Sequence, residues 1–270
     1  MVWVLKNSGT REVFDAKKVV DALMRSGASQ STAHEIAKKV EAQAYDGIPT
    51  NRIFAIAYDL LDVENPATAS IFSLKQALMM LGPQGFIFEK LIATILGSQG
   101  YKTQGSQILK GACVDQEVDI VAEKGGIREM VECKYHNQLG VSTGLKEAMY
   151  TWARLMDVIE GGAKFSRAWI ITNTKVTDEA LKYASKKEMK VTSWGYPEGE
   201  SLQDLIKKGG MYPITILKMS ENARHRLLQR EIITLKDLTK VDLEEYIALT
   251  GETRDVFNAL IEQTKGIIAP

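Results

Sequence analysis

The chain has 270 residues, with 34 Lys and Arg balanced by 34 Asp and Glu, three His and two Cys. At 45% hydrophobic and 25% charged it reads as a globular chain of one large domain or two to three smaller ones. No apolar run approaches the ~18 residues of a membrane span, no secretory pattern opens the chain, and Cys113 and Cys133 alone make neither a disulfide framework nor a zinc site; the expected setting is cytoplasmic.

In chain order, Trp3-Val4-Leu5 and Glu12-Val13-Phe14 flank Lys6-Asn7-Ser8-Gly9, which is hairpin chemistry because Asn and Gly tolerate positive φ. Asp15 can cap a helix carrying Val19, Val20, Leu23 and Met24. Ser29 or Ser31 opens a second with Ile36, Ala37 and Val40, and Thr50-Asn51 a third with Ile53, Ile56, Ala57, Leu60 and Leu61. A fourth helix over 66–81 stops at Gly82-Pro83. Residues 1–82 therefore read as a hairpin followed by a helical bundle.

Residues 83–203 alternate. A helix runs from about Gln84 to Leu96, strands fall at 118–121 and 130–134 across Lys124-Gly125-Gly126, and a long helix covers 144–160. A strand at 168–172, a helix at 177–188 and a strand at 190–194 complete an α/β sandwich with a mixed sheet. Lys207-Lys208-Gly209-Gly210 reads as a linker, and 204–270 as a small C-terminal helical domain broken at Thr250-Gly251.

The chemistry concentrates at Asp119 and Glu132-Cys133-Lys134. In extended chain i and i+2 share a face, so Glu132 and Lys134 project together and Cys133 projects oppositely. Asp119, in the preceding strand, lies on the side that can meet Glu132, and Glu89 is a helical carboxylate nearby in the pattern. Two carboxylates with an ammonium suit Mg²⁺ or Mn²⁺, which accepts one or two carboxylates plus waters and phosphate oxygens. Such a metal polarises a scissile phosphate and lowers the pKa of a bound water, while Lys134 orients that water or stabilises developing charge. An exposed Glu–Lys strand pair is the plain alternative, but Ile120, Val121, Met130 and Val131 bracket the charges with core-type residues.

LGPQGFIFEKLIATIL with Glu89, GACVDQEVDIV with Asp119 and VECKYHNQ with Glu132 and Lys134 resemble the PD-(D/E)xK nucleases, in the restriction-endonuclease-like branch related to Mrr and the archaeal Holliday-junction resolvases. The resemblance covers about 82–204 and implies Asp119 and Glu132 as metal ligands, Lys134 as the catalytic lysine and Glu89 as a supporting acid. Glu117, two residues before Asp119, departs from the pattern and either competes for a metal or faces solvent. His136 follows the motif closely enough to touch a substrate phosphate, and Lys146 on the next helix is a solvated lysine or the lining of a DNA groove.

Residues 2–80 carry Val4-Leu5-Lys6-Asn7-Ser8-Gly9, then Glu12 to Val19, then Tyr45-Asp46-Gly47-Ile48-Pro49-Thr50, in the order of an ATP-cone, which this segment resembles. A triphosphate needs several cations and donors, and Lys6, Lys18 and Thr50 at a helix start can supply them. The resemblance implies that Lys6, Glu12, Lys18 and Thr50 contact ATP or dATP, acting as an allosteric effector because no hydrolysis motif is visible. The family's basic-acidic turn stands here as Asn7-Ser8.

In 207–236 the cations Lys207, Lys208, Lys218, Arg224, Arg226, Arg230 and Lys236 face only Glu221 and Glu231. Leu249 to Thr253 joins two helical stretches in a way faintly like a helix-hairpin-helix, without the usual paired glycines. A lid or dimerisation element fits these helices equally well.

The expected function is a Mg²⁺-dependent DNA endonuclease regulated by adenine nucleotide, a homodimer because a double-strand cut needs two sites. The alternatives are a nucleotide-responsive DNA-binding regulator on a non-cleaving nuclease fold, and a Holliday-junction-type resolvase. Charge cancels within each of the three segments, so the expected DNA affinity is modest, metal-assisted and salt-sensitive.

Overall fold

A computed structural model of the chain describes residues 2–7, 9–83 and 85–268; Ser8 of the first turn and Gln84 at the expected helix start lie outside the described residues. The hairpin pairs β1 (Trp3–Leu5) with β2 (Arg11–Val13), Trp3 opposite Val13. Gly9, at φ +81°, supplies the left-handed turn residue. Asp15 accepts the Lys17 N–H and opens α1 (Ala16–Arg25), and Ser29 caps α2 (Gln30–Gln43) through the Thr32 N–H. The two-residue β3 (Ile48–Pro49) runs parallel to β1 and delivers the chain into α3 (Thr50–Glu64). Leu23, Ile36, Val40, Ile48 and Leu61 are wholly buried in this core. The stretch expected as one helix over 66–81 is two, α4 (Pro66–Phe72) and α5 (Leu74–Met79). Asn65 caps the first, and the Ser73 N–H closes it onto the Ala69 and Ser70 carbonyls.

The second compact unit begins with α6 (Phe86–Ser98), whose Phe88, Leu91, Ile92 and Ile95 are buried. Three antiparallel strands follow, β4 (Lys102–Lys110), β5 (Asp115–Lys124) and β6 (Ile127–Lys134). After the short β7 (Ser142–Thr143) come α7 (Leu145–Glu160), β8 (Arg167–Thr172), the short β9 (Lys175–Val176), α8 (Asp178–Lys186) and β10 (Lys190–Thr192). The strands form one mixed sheet in the order β10-β8-β6-β5-β4, with β6, β8 and β10 parallel, and a pair β7-β9. β4 is an addition to the strands expected from sequence. It is an edge strand, largely exposed, so its residues lack the apolar alternation that marks half-buried strands.

The expected linker at 207–210 is instead mostly helix. α9 (Leu202–Gly209) starts at a Ser201–Asp204 capping box and ends where Gly210 adopts φ +62°. Beyond it come a 3₁₀ turn (Ile214–Ile216), α10 (Glu221–Gln229), α11 (Leu235–Leu238), α12 (Leu243–Thr250) and α13 (Arg254–Ile268), with Gly251 at φ +73° closing α12. These residues divide between the units. Thr215–Ala223 and Val241–Pro270 join Met1–Ala77, while Arg224–Lys240 joins Leu78–Ile214. Within the first unit, Gln263 Nε2 donates to Ser70 Oγ at 3.0 Å and Lys218 Nζ pairs with Asp62 at 2.6 Å.

Phe88 has no exposed surface and anchors α6 over the sheet. Phe88→Ala is expected to destabilise its unit by about 3–5 kcal/mol, read as a lowered midpoint in urea unfolding.

Candidate active site

From the Lys124-Gly125-Gly126 turn, β5 and β6 pair as far as Ile120 with Val131. One residue further stand Asp119 and Glu132, where Asp119 Oδ2 accepts the Cys133 N–H at 2.7 Å. On the other edge of β5, Ser106 at φ +36° interrupts the β4 ladder between the 105/120 and 107/118 pairs. Asp119 thus sits where its strand is released by both neighbours. That release frees a carboxylate to replace a ladder bond and still present an oxygen outward.

Glu132 is about 4% exposed. Its Oε1 lies 2.5 Å from Lys134 Nζ and its Oε2 2.5 Å from Arg154 Nη1, a buried residue of α7. The Arg154 Nε donates to Gln116 Oε1 at 3.2 Å. Glu89, in the first turn of α6, is pushed up to about 7 by burial and then by the charges of Asp119, Glu117 and Glu132. Burial, and then Glu132, push Asp119 up to about 6 against the Cys133 N–H. Phe86, Glu89, Lys90, Ser106 and Asp119 line a cleft of about 210 Å³.

The structure therefore brings Glu89, Asp119, Glu132 and Lys134 to one place. Glu117 is exposed and accepts a long 3.4 Å hydrogen bond from Ser106. The buried Cys133 thiol is pushed well up, first by burial and then by Asp119, Glu89 and Glu132, which keeps it a protonated core residue. His136 is fixed through its backbone, donating its N–H to Asn173 Oδ1 at 2.9 Å and accepting from Asn173 Nδ2 at 2.7 Å. Its Nε2 is 3.2 Å from Thr143 Oγ1. Lys146 is exposed on α7.

Arg154, Gln116 and Asn173 escaped the sequence reading. Arg154 left a signal, since it falls among the core-facing positions Thr151, Leu155 and Val158 of an amphipathic helix. A charge there needs a buried partner.

The donor set consists of hard oxygens that repel one another, and a divalent cation relieves that repulsion. No three His, Cys, Asp or Glu side chains converge closely enough to hold a metal among the described residues. A metal here would draw on two carboxylates, completed by water and phosphate oxygens.

In the first unit, Glu12 Oε2 accepts from both Lys6 Nζ at 2.7 Å and Lys18 Nζ at 2.9 Å. These two bonds hold the Glu12 carboxyl below the usual range, and Glu12 in turn raises Lys18. Thr50 Oγ1 donates to the Leu5 carbonyl at 3.2 Å, beside Lys6, and opens the 15-residue α3. Pro49 offers that helix start no side-chain cap, so the N–H groups of its first turn have no capping oxygen from that residue. Among the cations of 207–236, Lys218 is paired with Asp62 and Lys236 donates to the Gly209 carbonyl.

A helix, three antiparallel strands, a helix and two parallel strands define the second unit as a nuclease fold. Residues 82–206 match the family model described as restriction endonuclease, and residues 2–74 match the ATP cone domain. An uncharacterized protein of Archaeoglobus fulgidus is 41% identical over 177 residues, spanning 66% of this chain and 99% of its own length. A crystal structure of a protein of unknown function shares the fold at a TM-score of 0.58 and 38% identity, covering 68% of this chain and 98% of its own. The chain belongs to the restriction endonuclease family through its central domain and carries an ATP cone domain ahead of it. Among the described residues no helix is long and apolar enough to cross a membrane.

Burial pulls His136 below its ordinary value of 6.5. The unfolded chain therefore takes up this proton first as pH falls, so stability from a neutral His136 is present above 6.5 and lost on acidification below it. His136→Gln is expected to lose less stability than the parent between pH 7 and 5, read as the difference in thermal midpoints.

Proposed function

We propose that the chain is a metal-dependent DNA endonuclease, acting as a homodimer and regulated by ATP or dATP bound to its cone domain. The carrying observation is the meeting of Asp119, Glu132, Lys134 and Glu89 at the released end of β5 and β6. Asp119 and Glu132 are the residues that would hold Mg²⁺ or Mn²⁺, which supplies Lewis acidity toward a phosphate oxygen and lowers the pKa of a bound water. Lys134 Nζ, already on the outer oxygen of Glu132, orients the attacking water and stabilises charge building on the phosphate. Glu89 adds a carboxyl with a raised affinity for protons at the edge of the cleft, suited to taking up the proton that the water gives up. Gly105 and Ser106 line the same cleft as Glu89 and Asp119.

In the cone domain, Lys6 and Lys18 would exchange Glu12 for the triphosphate, with Thr50 and the start of α3 completing the cradle. The sequence shows no phosphate loop of the GxxxxGK(S/T) type, which supports the nucleotide as an effector rather than a fuel.

One observation favours the reading as a non-cleaving DNA-binding regulator: both oxygens of Glu132 are taken up by cations of the chain itself. A junction resolvase uses the same residues and differs in its DNA.

Linear, methylated and branched DNA incubated with Mg²⁺ or Mn²⁺ separates the three readings. Cleavage that falls at least ~100-fold in Asp119→Ala and Lys134→Ala supports the nuclease. Cutting confined to branched DNA assigns the resolvase, and gel shift without cutting in either metal assigns the regulator. Lys18→Ala is expected to weaken ATP and dATP binding by ~10-fold or more in calorimetry. Cleavage should proceed with no steady release of phosphate from ATP.

A further inference from the structure

Resting on the metal-site reading above, we propose that Arg154 is a positioning residue that locks Glu132 into a one-oxygen metal-binding pose and leaves Lys134 as the cation that moves. Glu132 lies between two cations that differ in how they are held. Lys134 is about 28% exposed, and Glu132 is its hydrogen-bond partner. Arg154 is about 10% exposed and fixed on several sides. Its Nε donates to Gln116 Oε1 at 3.2 Å, and its guanidinium stands 5.4 Å from the centre of the Tyr150 ring, one helical turn back on α7. Gln116 is held in turn, its Nε2 donating to Asp157 Oδ2 at 2.7 Å, while Asp157 Oδ1 accepts the Cys113 N–H at 2.7 Å. Tyr150, Arg154 and Asp157 lie at i, i+4 and i+7 along one face of α7, so one helix face carries the whole brace.

This asymmetry decides which bond yields when a cation arrives. Moving Arg154 away from Oε2 leaves a buried guanidinium with half its partners and strips Gln116 of its acceptor role. Moving Lys134 away from Oε1 releases a flexible, partly exposed ammonium toward solvent. Oε1 therefore becomes the metal-facing oxygen and Oε2 stays with Arg154. The displaced Lys134 Nζ would then be free to orient the water or to stabilise charge on the phosphate. A carboxylate restrained in this way cannot turn to chelate with both oxygens, which suits a six-coordinate ion that keeps several waters. Outer residues that orient a ligand commonly affect metal affinity by ~10–100-fold when removed.

The test measures Mn²⁺ binding by calorimetry, without DNA, on the full chain, alongside circular dichroism and thermal melting. The parent should bind Mn²⁺ and Asp119→Ala should not; a parent that binds none overturns the metal-site reading itself. Given parent binding, Arg154→Met should weaken Mn²⁺ at least ~10-fold in protein that remains folded. Arg154→Lys, which keeps the charge but cannot reach Glu132 and Gln116 together, should fall between. Gln116→Leu frees the Arg154 Nε while leaving the Glu132 pair in place and should give a smaller loss, and it serves as the decisive variant if Arg154→Met fails to fold. Lys134→Ala should bind Mn²⁺ at least as tightly as the parent, because no ammonium then competes for Oε1. Unchanged Mn²⁺ affinity in folded Arg154→Met, or in Gln116→Leu when it stands in, overturns the proposal. So does a Lys134→Ala protein that loses Mn²⁺ as completely as Asp119→Ala.

Discussion

A single carboxylate buried in the central strand of a five-stranded sheet sets the terms for the second unit. Glu132 lies in β6, hydrogen-bonded between β5 and β8, and is almost without solvent. A charge in such a place is tolerated only when fully paired, and removing one partner of a buried pair costs about 3–5 kcal/mol. The fold meets this requirement from two directions. Lys134 comes from the same strand two residues on, and Arg154 comes from the crossover helix between β6 and β8. The α/β crossover thus supplies a side chain as well as connecting parallel strands.

The neighbouring carboxylates are compensated more weakly, through space, by Lys134 and Arg154 at Asp119 and by Lys134 at Glu89. Asp119 has one backbone N–H, and Glu89 has burial and three negative neighbours. Stability alone does not explain this uneven treatment of three acids within one small region, since pairing all three would cost less. The site keeps one carboxylate paired on both oxygens and two with raised proton affinity, and perturbed acids of this kind cluster at functional sites. The cone domain repeats the theme at its surface, where one glutamate oxygen holds two lysines that an anion can claim.

Much of this was legible before any coordinates. Asp15 and Ser29 cap the helices their positions suggest, the Lys124-Gly125-Gly126 turn joins the two strands that carry Asp119 and Glu132, and the i, i+2 rule places Glu132 and Lys134 together. These features rest on local rules that act within a few residues. β4 was missed because an edge strand need not alternate, and its register is set by β5 rather than by its own residues. The break at Ser73 and the helix through Lys207 and Lys208 depend on caps whose strength competes with composition. Arg154 is instructive in a different way. It is 22 residues from Glu132 in sequence, and only the packing of α7 across the sheet reveals that the two share a bond. Cross-element partners of this kind leave at most a polar residue on an apolar face as their trace.

The C-terminal residues return to the first unit, then to the second, then to the first again. The bundle that closes around residues 16–72 is therefore completed by α13, whose Gln263 reaches Ser70 across 193 positions of chain. Residues 16–72 are translated well before α13, and the packing of the first unit is whole only once α13 has joined them. Contacts of such long separation slow folding, so the unit that carries the ATP cone domain matures late. A nascent chain would carry its restriction endonuclease domain before the packing around its ATP cone domain is complete.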